Sequence, residues 1–413
     1  MKKEKGLSAY LGPGFIVAAT GIGAGDLITA SVAGAHFGTA VLWTAILGGL
    51  LKYFLNEGIA RWQLATGTTL LEGWIKHLPS IVSIYFLIYL IIWSTVVAAT
   101  EISFCGLSAH TVFPLPMSEQ SSVVVWGTLH TVLAVILVYF GGYQLIENLM
   151  KVFIGLMFGV VIISAVLSQP DWREVITSLI TPQIPEADNA ITLIFAVVGG
   201  VGGSVTLLSY AYWLQEKGWT GDSFLRNARI DLGVAYLMMG LFGIAMIIIA
   251  SGVQPEKVNG YEMIMSIANR MSEGTGQVGK WIFIFGFWGA VFSSMIGIWH
   301  GVPYLFADFM KHFNKKNAIQ QTLSISKKSF HYRLFLAFIA FPPILLVAYG
   351  RPTWIGILYA VTGAFFMPFL AGMLLYMNNQ VAWLKSFRNG WLTNAVLFLT
   401  LLFFLALLYI KYG

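Results

Sequence analysis

The chain has 413 residues, 57% of them hydrophobic and 10% charged, with a formal net charge of +6. That balance excludes an ordinary soluble domain and matches a polytopic membrane protein. Its one cysteine, Cys105, excludes an intrachain disulfide and a metal–thiolate cluster.

Apolar runs long enough to cross a hydrocarbon core of about 30 Å recur along the chain. They predict eleven spans, near residues 12–36, 39–64, 81–109, 122–140, 144–167, 190–215, 230–252, 279–309, 332–349, 353–377 and 391–411. The start, Met1-Lys2-Lys3, resembles a signal peptide, but the apolar stretch continues to Phe37 without a cleavage site, so it is expected to stay as the first span. The polar connections 168–189, 253–278 and 311–331 read as loops of a single transmembrane domain. With the N-terminus inside, sixteen Lys and Arg fall on the cytoplasmic side and six outside. This bias predicts a cytoplasmic N-terminus and an outer C-terminus in a cell membrane, and it accounts for the positive charge without nucleic acid.

Two spans carry glycine clusters: Gly21-Ile22-Gly23-Ala24-Gly25-Asp26 in the first and Gly199-Gly200-Val201-Gly202-Gly203-Ser204 in the sixth. Each glycine lowers helix propensity by about 1 kcal/mol relative to Ala. Matched interruptions in two halves of a membrane protein point to a substrate site made of unwound helices, because opened backbone survives in a bilayer only inside protein or against water. Gly21/Gly25, Gly34/Gly38 and Gly199/Gly203 also have the four-residue spacing of close helix packing. Packing is the better reading for Gly34 and Gly38, and an unwound site for the two clusters.

Other segments carry a family signature. Gly12-Pro13-Gly14-Phe15, Ala33-Gly34-Ala35-His36-Phe37-Gly38, Ala65-Thr66-Gly67, Thr100-Glu101, Gln169-Pro170-Asp171-Trp172 and Ser293-Ser294 with Gly297 appear in this order. The set resembles the Nramp family of proton-coupled divalent-metal transporters. The resemblance implies an all-α fold of two inverted five-helix repeats of the leucine-transporter type, 12–167 and 190–377, with helices one and six broken at the substrate site and an eleventh helix at 391–411. It also marks departures. The family's Asp-Pro-Gly-Asn falls on Gly23-Ala24-Gly25-Asp26, so its metal-binding Asp is Gly23 and its Asn is Asp26. Its Met-Pro-His falls on Gly203-Ser204-Val205, and its Thr-Asp-x-x-Glu proton route on Thr100-Glu101-Ile102-Ser103-Phe104.

The candidate substrate site is therefore Gly23, Gly25, Asp26, Gly202, Gly203 and Ser204, with Asp26 as metal ligand. An intramembrane carboxylate is costly and usually functional, and a hard oxygen suits Mg²⁺ or Mn²⁺. The alternative for Asp26 is a helix N-cap. The glycines that replace ligating side chains are expected to leave room for a hydrated ion or a small solute. Glu101 is the candidate proton carrier for coupling, its alternative a fixed pair with Lys or Arg. Lys52, Glu57 and Arg61 read as a structural trio, Glu57 and Arg61 being four apart, and Glu147 with Lys151 repeats that spacing. His110, His130 and His300 have no metal-ligand spacing. Trp299-His300 is a candidate cavity wall, and Ser293 and Ser294 are candidate hydroxyl ligands.

No assembled nucleophile, acid–base pair or metal cluster is visible, so no catalytic residue and no enzyme activity are expected. The expected function is secondary transport of a divalent cation. A small organic solute, an amino acid or amine, is the alternative on the same fold. No cofactor apart from the transported ion, no nucleic acid and no protein partner are expected; the lipid bilayer is.

Overall fold

The computed structural model describes residues 11–200, 202–253, 260–313, 326–350 and 352–412. Among these the fold is all-helical, without a strand. The first predicted span is two helices, α1 (Pro13–Gly21) and α2 (Ala24–Phe37), followed by α3 (Leu42–Thr66) and the short α4 (Leu70–His77). Next come α5 (Ser80–Val112), α6 (Glu119–Phe140), α7 (Tyr143–Leu167) and the connecting α8 (Trp172–Ile180). The sixth span is again split, into α9 (Ala190–Gly200) and α10 (Tyr210–Lys217). The remainder is α11 (Leu225–Ala250), α12 (Gly260–Phe313), α13 (Phe330–Ala340), α14 (Pro343–Tyr349), α15 (Pro352–Met377), the single turn α16 (Val381–Leu384) and α17 (Trp391–Tyr412).

Nine stretches of the described residues are long and apolar enough to cross a membrane, against eleven predicted. Two of the predicted spans merge because α2 and α3 are joined through a 3₁₀ turn into Ala24–Thr66, and the last predicted span lies in α17, Trp391–Tyr412. The connection 253–278 was expected to be a loop, yet helix α12 begins at Gly260 and kinks at Gly276, where φ is 68°. Much of residues 168–189 is likewise helical, because Asp171 caps α8 by accepting from the amides of Arg173 and Glu174.

The burial pattern is that of a membrane bundle. Ile88, Ile92, Leu129, Ile136, Leu156 and Leu399 are exposed, while Asp26, Lys52, Glu57, Glu101, Glu147, Asp231 and Asp308 are buried. Apolar side chains face outward because hydrocarbon is their solvent, and ionisable groups turn inward to find partners. The interior is built by α1, α2 and α9 lying among α3, α5, α11, α12 and α15. At Gly34 a Cβ would approach the Ile247 carbonyl and Ala250 of α11, so that glycine permits close packing as expected. Gly38 does not: nothing lies within 4 Å of its Cβ position, and its φ of 59° instead ends α2.

Candidate functional site

The first break is narrow. Helix α1 closes at Gly21 with the Ile22 amide donating to Ala18 O at 2.8 Å, and α2 opens on Gly23 as N-cap. The second break is wider. After Gly200 the backbone passes through Gly202 and Gly203 at φ 85° and 78°, a region that side chains with a Cβ avoid, then a 3₁₀ turn Val205–Ser209 leads into α10. The two breaks meet backbone to backbone: a Cβ on Gly21 would lie 3.0 Å from the Gly202 carbonyl carbon.

Asp26 occupies the third position of α2, one turn past the break, so it is not the N-cap. It is 5% exposed, and its carboxylate faces the backbone amides of Gly202 and Gly23. Its Oδ1 makes no hydrogen bond among the described residues and points at Gly200, whose Cβ position is 3.5 Å away. A buried carboxylate oxygen without a donor is costly to leave so. Thr29 back-bonds to Gly25 O at 2.9 Å beside it.

Lys52 corrects the structural-trio reading. Its ammonium leaves Glu57 and Arg61 and donates to Gly199 O at 2.7 Å and Gly200 O at 3.1 Å, with Asp26 facing it. Glu57 pairs with Arg61 at 2.7 Å and with Arg229 at 2.9 Å, away from the break. The spacing held the signal: residues five apart, such as Lys52 and Glu57, do not share a helix face, whereas residues four apart do.

Glu101, on α5, has no Lys or Arg partner among the described ion pairs. It accepts from the Ser294 hydroxyl at 3.0 Å, and the Ala24 amide faces it. Ser294 also lies 2.9 Å from Thr20 O, and Ser293 3.4 Å from Ala19 O, so α12 holds the end of α1. The hydroxyls bond backbone and Glu101. A Cβ on Gly23 would overlap Ser294 Oγ and stand 2.8 Å from Glu101 Oε1. The carboxylate of Glu101 thus stands beside Gly23 at the first break.

Room for a hydrated ion or a solute was expected at the glycines, and the described side chains fill it. Tyr359 packs over Gly25, Met239 Sδ lies against Gly21, Ala364 against Gly199, and Thr206 against Gly203. Ser204 is buried beside Gly363 and Tyr359. Apart from Thr206, three residues beyond Gly203, these partners come from α11 and α15 with no motif of their own, so sequence reading had no signal for them. Trp299 donates to Thr131 at 3.0 Å and His300 accepts from Trp213 at 3.0 Å, all three rings being buried. His130 likewise accepts from Trp288 at 2.8 Å. No group of three His, Cys, Asp or Glu that could hold a metal is found among the described residues.

The far end of α1 is pinned by Asp231 of α11, which accepts from the Gly12 amide at 2.9 Å, the Gly14 amide at 2.6 Å and the Tyr210 hydroxyl at 2.9 Å. Nearby, Glu147 holds Lys151 at 2.5 Å and Lys217 of α10 at 2.7 Å. Both half-helices are tied to their neighbours at this end. Asp231→Ala is expected to lower stability by about 1–3 kcal/mol, the cost of leaving buried donors unpaired, read as a fall in the thermal unfolding midpoint of the detergent-purified protein.

Two helices interrupted at facing glycine-rich breaks, with buried charge at the junction, are an architecture of multi-pass membrane transporters. The family profile "Natural resistance-associated macrophage protein-like" matches residues 14–411, and the chain belongs to this Nramp family. The divalent metal cation transporter MntH of Bacillus subtilis (strain 168) is 25% identical over 94% of this chain and 88% of its own. MntH of Chromohalobacter salexigens is 26% identical over 60% of this chain and 57% of its own. Among solved structures, the Eremococcus coleocola manganese transporter in complex with an aromatic bis-isothiourea substituted compound aligns with a TM-score of 0.77 at 17% identity, covering 98% of this chain and 86% of that one. MhsT in complex with L-phenylalanine aligns with a TM-score of 0.59 at 15% identity, covering 97% and 98%. These likenesses establish the fold.

Proposed function

We propose that the protein is a secondary active transporter that moves a divalent metal cation of the Mn²⁺ or Mg²⁺ kind, with Asp26 as ligand and Glu101 as proton carrier. The observation that carries this reading is the buried Asp26 Oδ1, without a donor among the described residues, facing Gly200 at the second break. The backbone contact between Gly21 and Gly202 favours a small ion over the organic-solute alternative. The metal relatives named above support it. Glu101 suits coupling because it is buried 1% exposed, lacks a cationic partner among the described ion pairs, and faces the first break through Ser294 and Gly23.

In this reading one domain holds eleven spans, with repeats at 12–167 and 190–377, broken helices one and six, and an eleventh helix at 391–411. The N-terminus is cytoplasmic and the C-terminus outer, in a cell membrane. No cofactor or protein partner is required, and the substrate contacts include Gly23, Gly25, Gly202, Gly203 and Ser204.

Uptake of Mn²⁺ into proteoliposomes under an imposed pH gradient tests the function, and L-amino acids and amines test the alternative. Excess Mg²⁺ and Ca²⁺ are expected to suppress Mn²⁺ uptake strongly. The position matched to the family's methionine is Gly203, and hard cations are penalised less where the ligands are oxygens alone. Unaffected Mn²⁺ uptake would point to a soft ligand in place, for which the Met239 thioether packed against Gly21 is the one to mutate. Absence of any metal uptake would favour the organic solute.

A further inference from the structure

Helix α9 ends inside the protein at Gly200, and a helix C-terminus carries bare carbonyls and partial negative charge. Broken helices use such carbonyls to hold transported cations. Here the carbonyls of Gly199 and Gly200 already have a cation: the Lys52 ammonium, 1% exposed, at 2.7 and 3.1 Å. None of the ion pairs among the described residues includes Lys52, and it enters from α3 along Gly202, whose Cβ position is 3.5 Å from Lys52 Cδ. Asp26 Oδ1 addresses the same residue, Gly200, without a hydrogen bond of its own among the described residues. The neighbouring polar group on α11, the Tyr236 hydroxyl, is taken up by Asn56 at 3.1 Å.

We infer that Lys52 is a resident cation at the transport site, holding the Gly199 and Gly200 carbonyls that an incoming ion would use, so that a divalent cation binds beside Asp26 only by displacing it. This rests on the reading of Asp26 as a cation ligand. Two physical effects act in the same direction. The ammonium offsets the charge of Asp26 and repels an arriving divalent ion at short range, where water screens poorly. It also withholds the Gly199 carbonyl oxygen and competes for that of Gly200, which accepts as well from the Gly203 amide at 3.1 Å, oxygens that a hard cation would use. Lys52 is therefore a specificity-determining residue: it holds metal affinity down and gives release a built-in competitor. A purely structural role, a side-chain cap on α9, would need the hydrogen bonds and not the charge.

The test separates these roles. Full-length protein purified in detergent is titrated with Mn²⁺ and with Mg²⁺ by calorimetry, as wild type, Lys52→Met and Lys52→Gln. Gln keeps a neutral donor directed at the break, so it covers the case in which Met impairs folding, and a single size-exclusion peak is required of each variant. The expected result is binding tighter by about tenfold or more in both variants, a conservative figure for removing a unit charge in contact with the site. Introducing Asp26→Asn into either variant is expected to erase that gain. If wild type binds metal and both variants bind it equally or more weakly, Lys52 is a cap and the inference falls while the metal reading stands. If no form binds either metal, the metal reading falls, and the inference with it.

Discussion

Asp26→Asn is expected to reduce metal uptake by about 100-fold or more, equivalent to the roughly 3 kcal/mol lost when one partner of a buried charged contact is neutralised. The protein is expected to stay folded. Asn preserves the shape of the side chain and an oxygen for the Gly202 and Gly23 amides that face it, while the charge that attracts a cation is gone. Uptake into proteoliposomes, normalised to the folded fraction, measures it. Uptake at the wild-type rate would show that Asp26 only satisfies backbone at the start of α2.

The second large effect runs against the family pattern. Gly23→Asp places an acid where the resemblance sets the family's Asp, yet it is expected to abolish uptake rather than improve it. A Cβ at Gly23 would overlap the Ser294 hydroxyl and press on Glu101 Oε1, so the new carboxylate enters occupied space beside an existing carboxylate. Overpacking of this kind costs about 1–3 kcal/mol before any like-charge repulsion is counted. Gly23→Ala carries the same steric load without the charge and is expected to lose uptake as well, with a lower unfolding midpoint. Wild-type uptake by Gly23→Ala would show that the backbone at the break relaxes freely. A gain by Gly23→Asp would show that Glu101 does not hold the place of the missing acid.

Much of the fold was legible because its signals are local. Apolar length locates membrane helices, and α5, α6, α7 and α11 lie where hydropathy put them. The glycine clusters located both interruptions, since clustered glycine weakens a helix wherever it sits. Boundaries between polar segments were read less well. Residues 260–275 are helical because a connection able to pack on the bundle satisfies its backbone as helix, and hydropathy does not report that.

The site was legible in part. Asp26 and Glu101 stood out as acids in apolar sequence, and both proved buried at the first break. The sequence by itself determined that the protein spans a membrane, that two helices are weakened at glycine clusters, and that Asp26 and Glu101 sit inside, while the buried Asp231 and Asp308 went unnoticed. Only the tertiary structure decided what surrounds them. Lys52 reaches Gly200 from 148 residues away, and Ser294 meets Glu101 across 193. The space opened by glycine in one helix was taken by Tyr359, Met239 and Ser294 from three others. Hydropathy and helix propensity act on neighbours along the chain, whereas a charge or a cavity is answered by whichever group folding brings within a few ångströms. For that reason Asp26 was readable as a candidate, and the cation that faces it was not.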